Sequence, residues 1–310
     1  MGERTTLALV AAVVCGALVA VQARVNAGLA IDLGDALLAA VVSFGTGLVL
    51  VLAVVLSRTV SRRAWSGVRR VPWWTRLGGL GGACLVAVGA FAAPRIGVAL
   101  LTVGLVAGQT SGGLLVDRLG LGPGGRHHLT VPRVSGAVLC LLAVLVSALG
   151  RGTHGASPVL LLLVVAAGFL IAAQQAVNGR VRRATGDAAV ATLVNFLVGT
   201  SALVAAYLVV GAVSGWHVHR WPDAAHWWLY SGGALGATFV AVAAVIVRLL
   251  GVLRLGLAII AGQLLGAIVL DVVAPAAVRG VALGTAVGAG LTLLAVVVSG
   301  RSTPTPAVTP

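Results

Sequence analysis

One pattern occurs twice in this chain and determines its fold. Residues 22–47 read QARVNAGLAIDLGDALLAAVVSFGTG, and residues 174–199 read QQAVNGRVRRATGDAAVATLVNFLVG. Both stretches contain Gln-x-x-x-Asn, then Gly-Asp, then Ser/Asn-Phe-x-x-Gly, and equivalent residues are separated by 152 positions. Such a constant offset between polar residues is hard to obtain by chance in a sequence so rich in Ala, Val and Leu. The chain therefore contains an internal repeat.

Further equivalent residues extend the repeat at an offset of 154 positions. They are Trp73-Trp74 with Trp227-Trp228, Gly78-Gly79 and Gly82 with Gly232-Gly233 and Gly236, Ala107-Gly108-Gln109 with Ala261-Gly262-Gln263, and Asp117 with Asp271. We predict a first repeat over residues 1–150, a second over residues 151–300, and a disordered cytoplasmic tail over residues 301–310.

The composition indicates that these repeats lie in a membrane. Of the 310 residues, 59% are apolar and 9% are charged, and the mean hydropathy is +1.09. A soluble domain is about 45–50% apolar and about 25% charged, so a water-soluble globule, a disordered chain and a collagen-like fibre are excluded. The three cysteines lie in apolar segments, with spacings that suit neither a metal site nor a disulfide.

Ten apolar segments can each cross a bilayer core of about 30 Å as a helix of roughly 20 residues. They cover residues 5–23, 36–56, 75–93, 96–116, 134–149, 158–177, 188–210, 228–247, 255–270 and 280–299. Each repeat holds five segments, and because five is odd the second repeat must enter the membrane from the opposite face. We therefore predict an all-α polytopic membrane protein, with ten transmembrane helices in two inverted five-helix repeats.

The arginines predict the orientation of these helices. The net charge is +14, and every basic residue counted as Lys or Arg is an arginine. Sixteen arginines lie at the N-terminus, at the C-terminus or in the loops on the same predicted side, and five lie on the other side. Arginine-rich loops stay in the cytoplasm, so both termini are expected to be cytoplasmic, in the inner membrane of a bacterium.

The repeated motifs resemble those of a known transporter family. Gln-x-x-x-Asn, Gly-Asp, Ser/Asn-Phe-x-x-Gly, Ala-Gly-Gln and the later Asp are similar to the YdcZ-type branch of the drug/metabolite transporter superfamily. The resemblance extends over nearly the whole chain and is to the form with two fused repeats. It implies a ten-helix inner-membrane transporter fold, and it implies little about the substrate.

Four polar residues are expected near the bilayer midplane as substrate contacts. They are Ser43 and Gln109 in the first repeat and their equivalents Asn195 and Gln263 in the second. Gln109 lies eight residues before Asp117, which is about 12 Å from the inner edge of its helix. The alternative is that these side chains hydrogen-bond between helices and contact no solute.

Two pairs of amide side chains are candidates for gates. Gln22 and Asn26 are four residues apart and share one helix face, as do Gln174 and Asn178. The pairs are expected at opposite ends of the transport pathway, where alternating access requires gates. The alternative is that Asn26 and Asn178 end their helices as C-caps.

Two acids are candidates for binding a coupling proton. Asp117 and Asp271 lie at the inner and outer rims of equivalent helices. The alternative is an ion pair with an arginine, such as Arg118 or Arg279. No carboxylate lies deep within a predicted segment, so a lipophilic cation would lack a counter-ion. A neutral, zwitterionic or weakly anionic metabolite fits the amide-lined midplane better.

The sequence predicts a secondary transporter that moves a small organic metabolite or drug-like solute by alternating access. The alternatives are a channel-like facilitative pore and, less favoured, a membrane scaffold or an intramembrane enzyme.

We expect no catalytic residue, metal or cofactor, because the chain has no lysine for a phosphate-binding loop and the histidines at 217, 219 and 226 match no zinc spacing. Expected partners are the solute and membrane lipid but not nucleic acid. A monomer is sufficient and a homodimer is possible.

Overall fold

The computed structural model describes residues 3–122, 125–126, 129–149, 157–216, 218–273 and 283–300. The tail at 301–310, Arg279 and His217 lie outside these residues. The described helices are α1 (Glu3–Leu33), α2 (Ala36–Leu56), α3 (Arg62–Arg70), α4 (Gly79–Leu119), α5 (Val131–Leu149), α6 (Pro158–Thr185), α7 (Ala188–Ser214), α8 (Gly232–Val273) and α9 (Leu283–Gly300). Short 3-10 helices, Trp73–Gly78 and Ala224–Ser231, precede α4 and α8.

The described part of the chain is an all-helical polytopic membrane protein. Five helical stretches are long and apolar enough to cross a membrane: Thr6–Leu33, Ala36–Leu56, Trp73–Leu119, Pro158–Thr185 and Ala188–Ser214. Shorter apolar helical stretches lie in α5, α8 and α9.

The repeated Gly-Asp motif forms the turn between two helices in each half. Gly34 and Gly186 have φ angles of 70° and 67°, in the left-handed region where glycine ends a helix without strain. Asp35 then accepts hydrogen bonds from the backbone N–H groups two and three residues later, at 2.7 and 3.0 Å. Asp187 does the same at 2.9 and 3.3 Å. Each Asp is therefore the N-cap of the next helix.

Helices α2 and α7, which are equivalent in the two halves, pack antiparallel. Phe44 lies beside Gly199, and Arg58, just after α2, forms an ion pair with Asp187, just before α7. Residue numbers thus rise along α2 while they fall along α7.

Helix α4 is interrupted at Gly97, which has φ 76° and ψ 159°. Before this residue, Gly78 lies beside Asn178 and Gly82 lies beside Gln174. Residue numbers rise along α4 while those of the contacted residues in α6 fall, so the early segment of α4 runs antiparallel to α6.

The segment of α4 after Gly97 runs in the opposite direction. Gly104 lies beside Val164, and Gly112 lies beside Ala172, so this segment is parallel to α6. The chain therefore reverses at Gly97, and α4 is a helical hairpin with almost no loop.

Helix α8 shows the same change of direction against α1. Its contacts are Gly232 with Asn26, Gly236 with Gln22, Gly262 with Val13 and Gly266 with Ala17. The first two contacts step backwards along α1 and the last two step forwards. The direction of α8 therefore changes between Gly236 and Gly262.

The main helix contacts are related by exchange of the two halves. Helix α1 packs on α8 as α6 packs on α4, while α2 packs on α7 and α5 packs on α9. At equivalent points, a Cβ added to Gly108 would overlap the Val165 carbonyl oxygen, and one added to Gly262 would overlap that of Val13. Glycine is needed there because the helix backbones touch.

Candidate functional site

Two aromatic rings meet at the centre of the contact between α2 and α7. The ring centroids of Phe44 and Phe196 are 5.1 Å apart, with 37° between the ring planes. The edge of each ring lies against a glycine of the opposite helix, Gly199 for Phe44 and Gly47 for Phe196. We call these two side chains the ring pair.

A closed polar layer lies on one side of the ring pair. The Asn178 side chain donates a hydrogen bond from Nδ2 to Oδ1 of Asn195, at 2.9 Å. A Cβ added to Gly78 would overlap Oδ1 of Asn178, and one added to Gly79 would overlap the Asn195 carbonyl oxygen. The two glycines thus allow the end of the 3-10 helix and the start of α4 to cover this Asn178–Asn195 layer.

The equivalent residues of the first half form a second layer. A Cβ added to Gly232 would overlap Oδ1 of Asn26 and lie 2.9 Å from Oγ of Ser43. Asn26 and Ser43 are each 2% exposed. In contrast to the other layer, Asn26 Oδ1 and Ser43 Oγ have no hydrogen-bond partner among the described residues. This is the Asn26–Ser43 layer.

The two layers lie on opposite sides of the ring pair. Ser43 immediately precedes Phe44, and Asn195 immediately precedes Phe196. Because α2 and α7 are antiparallel, the two polar residues are displaced in opposite directions, about 8 Å apart along the helix axes. A solute that crosses between the halves would pass a polar layer, the rings and a second polar layer.

Gln22 and Gln174 lie one helical turn from the asparagines of their layers. A Cβ added to Gly236 would be 2.7 Å from Nε2 of Gln22. A Cβ added to Gly82 would be 3.1 Å from both Oε1 of Gln174 and Cζ of Phe44. The Gln174 amide therefore lies beside the ring pair, and its Oε1 has no partner among the described residues.

The structure thus brings each predicted gate pair close to one predicted substrate contact, Ser43 or Asn195. The C-cap alternative for Asn26 and Asn178 is wrong, because α1 continues to Leu33 and α6 continues to Thr185. The predicted ends of these segments stopped too early because charged residues near a membrane surface do not have to end a helix.

The structure does not group Gln109 and Gln263 with these residues. The backbone N of Gln263 would be 2.8 Å from a Cβ on Gly16, and Gly16 lies about 15 Å along α1 from Asn26. Gln109 is similarly remote, since its neighbour Gly108 contacts Val165. Ser43 and Asn195 therefore share one site, while each glutamine lies elsewhere in the helix bundle, Gln263 against the early part of α1 and Gln109 next to the early part of α6.

Asp271 holds the start of a helix segment in the other half. It is 6% exposed, and its two carboxylate oxygens accept hydrogen bonds from the backbone N–H groups of Val98, at 3.0 Å, and Ala99, at 2.8 Å. Gly97 has no side chain with which to cap this segment, so Asp271 supplies the N-cap from α8. Sequence reasoning missed this role, although a glycine inside a long apolar run was a sign that a helix begins there. Asp117 is half-buried near the end of α4.

The loop before α8 contains a smaller charged pair. Nδ1 of His226 is 2.7 Å from Oδ1 of Asp223, and this hydrogen bond holds the pKa of the Asp223 carboxyl below its usual range. The described residues contain no group of three or more His, Cys, Asp or Glu side chains that could hold a metal.

A basic cavity lies where α4 and α6 end, at the face predicted to be cytoplasmic. Its volume is about 330 Å³, and its lining includes Arg180 and Arg183. Arg180 donates to the Gly120 carbonyl at 2.6 Å and lies 5.4 Å from the centre of the Trp74 ring. Arginine beside tryptophan is typical of the zone of lipid head groups.

Comparison with known proteins shows a family and a fold. The sequence profile of a family described as "Putative inner membrane exporter, YdcZ" matches the chain twice, over residues 7–146 and 159–298. The two matches begin 152 positions apart, which is the offset of the repeated motif. No curated protein matches the chain. A solved structure described only as "Crystal structure of protein" has a TM-score of 0.58 and 23% identity, over 96% of this chain and 97% of that one.

Proposed function

Because the chain belongs to this YdcZ family of inner-membrane exporters, with two fused copies of the family unit, we propose that it is a secondary transporter of a small organic solute. The solute is a metabolite or drug-like compound that crosses the inner membrane by alternating access. The membership favours a transporter over an enzyme. The observation that carries the mechanism is the pair of equivalent polar layers on either side of the ring pair.

The proposed architecture has ten membrane spans in two inverted repeats, residues 1–150 and 151–300. Helices α4 and α8 each supply two spans, because each reverses direction along its length. The antiparallel packing of α2 and α7 supports an inverted relation between the halves.

In the proposed cycle, the two layers are alternating gates. When the Asn26–Ser43 layer separates, the solute reaches the ring pair while the Asn178–Asn195 layer remains closed, and the order then reverses. Gln22 and Gln174 contact the solute beside the rings, and Gln109 and Gln263 contact it elsewhere along its path. Asp117 and Asp271 remain candidates for coupling. The described side chains of the two layers and the ring pair include no carboxylate, which suits a neutral, zwitterionic or weakly anionic solute.

Uptake into proteoliposomes tests the transport mechanism. The purified protein is first screened against metabolites by thermal shift, and the stabilising compound is then used in uptake with and without an imposed pH or voltage gradient. We expect concentrative uptake that collapses when the gradient is dissipated. Flux that only equilibrates would support the facilitative pore instead.

Gln174→Ala should lower the uptake rate by about tenfold, because one hydrogen bond to the solute is lost. Gln175→Ala is the matched control, since Gln175 is the next residue of α6 and is exposed. Equal uptake by the two variants would contradict the assignment of Gln174.

The orientation is tested separately with reporters fused to each terminus. A reporter that fluoresces only in the cytoplasm should be active at both ends, and a periplasmic phosphatase should be inactive at both. Termini on opposite sides would require an odd number of spans and would contradict the proposed ten.

A further inference from the structure

Seven buried side-chain polar atoms lack a hydrogen-bond partner among the described residues, and four of them lie on one side of the ring pair or beside the ring on that side. These four are Asn26 Oδ1, Ser43 Oγ, Gln174 Oε1 and Thr200 Oγ1, and the other three belong to Arg76, Ser111 and Thr130. Asn26 and Ser43 form one layer, and Gln174 lies beside Phe44, the ring next to Ser43. Thr200 follows Gly199, which faces Phe44, so the antiparallel register places it opposite Ser43.

On the other side of the ring pair, the two amide side chains of the Asn178–Asn195 layer bond to each other. There, Asn178 donates to Asn195 at 2.9 Å. Leu48 takes the place of Thr200, since these residues are 152 positions apart. The two sides thus differ at two equivalent pairs of positions, Ser43 against Asn195 and Thr200 against Leu48, and both differences leave hydrogen-bonding capacity unused on the Ser43 side.

The difference does not come from the packing of the glycines. Gly232 approaches Asn26 as closely as Gly78 approaches Asn178. The difference comes from the length of the side chains at the equivalent positions 43 and 195, because the asparagine amide extends one atom farther than the serine hydroxyl. Asn195 therefore reaches its partner across the α6–α7 contact, while Ser43 does not reach Asn26 across the α1–α2 contact.

We infer that the solute binds on the Ser43 side of the ring pair and that the Asn178–Asn195 layer is the closed gate behind it. Closing the Ser43 side buries polar atoms that gain no bond, whereas opening it returns them to water or to a solute. The four oxygen atoms suit a solute that carries N–H or O–H donors. With both termini inside, this side faces outward, and the inference in that respect rests on the proposed function.

Cysteine labelling tests this asymmetry without knowledge of the solute. Thr200→Cys and Leu48→Cys are made separately in a background with Cys15, Cys84 and Cys140 changed to alanine, and the purified protein is treated with a small methanethiosulfonate reagent. We expect the cysteine at position 200 to react about tenfold faster than the cysteine at position 48. A factor of about ten is the change in the opening equilibrium that corresponds to the free-energy cost of one buried polar group without a partner. Equal rates, or faster reaction at position 48, would overturn the inference.

A second test exchanges the residue types at the equivalent positions 43 and 195. Ser43→Asn should let residues 26 and 43 bond as 178 and 195 do, and so slow labelling at position 200 by about tenfold. Asn195→Ser should open the other layer and speed labelling at position 48. If Ser43→Asn does not fold, the Asn195→Ser arm still decides, and unchanged labelling there contradicts the inference.

The outcome separates this inference from the proposed function. Asymmetric labelling in a protein that transports nothing would support the Ser43 side as the binding side and reject the transporter. Transport with symmetric labelling would support the transporter and reject the Ser43 side as the binding side.

For the solute found by the thermal-shift screen, Ser43→Ala and Thr200→Val should each reduce transport by about tenfold, because each removes one hydrogen-bond acceptor. Unchanged transport by both variants would reject the hydrogen-bonding role of these hydroxyls.

Discussion

Replacing Asp271 by alanine is expected to destabilise the protein by roughly 2–4 kcal/mol, because the buried N–H groups of Val98 and Ala99 would both lose their acceptor. The expected result is a large fall in melting temperature in detergent and a smaller yield of monodisperse protein. Asp271→Asn keeps one acceptor oxygen and should have an intermediate effect.

Asp32→Ala is the control for this change. Asp32 is also an acid within the helical bundle, but it makes only a 3.9 Å ion pair with the exposed Arg220, and such pairs are worth less than about 1 kcal/mol. If the Asp271 and Asp32 variants melt at the same temperature, the capping role is wrong. A folded Asp271→Asn protein that transports without dependence on the gradient would instead favour the coupling role.

The second large effect is expected from Gly79→Ala and Gly233→Ala. A Cβ at either position would overlap a backbone carbonyl oxygen, that of Asn195 for Gly79 and that of Ser43 for Gly233. Relief of the overlap requires whole helices to separate, so each variant should lose about 3 kcal/mol of stability. Because these glycines cover the two polar layers, we also expect labelling at positions 48 and 200 to increase.

Gly45→Ala and Gly113→Ala are matched controls for the added methyl group. Both residues lie inside helices, and a Cβ at either would meet nothing within 4 Å. Alanine is favoured over glycine in a helix by about 1 kcal/mol, so these variants should be as stable as the parent or slightly more stable. Equal loss of stability in all four variants would show that close helix packing is not the reason for the glycines.

The repeat and its helices could be predicted from sequence because each depends on local chemistry. Gly34-Asp35 and Gly186-Asp187 stop one helix and cap the next with their own atoms. The hairpin of α4 was predicted as two segments, 75–93 and 96–116, because Pro94 and Arg95 interrupt an apolar run that is too long for one span. The structure places the reversal close by, at Gly97.

The composition of the site could not be predicted, because it depends on how helices tilt and rotate against one another. Depth along one span placed Gln109 and Ser43 at the same level, yet the structure separates them. The partners of Asp271 were also out of reach, because the groups it caps lie 172 and 173 positions away in the sequence.

That distance has a consequence for synthesis. A ribosome that adds about 5–20 residues per second needs roughly 10–35 s to pass from Val98 to Asp271. During this time the backbone at Val98 and Ala99 is already made, while the carboxylate that will hold it is not. Although each half is one copy of the same unit, the first half cannot reach its final hydrogen bonding alone, and the two halves must mature together in the membrane.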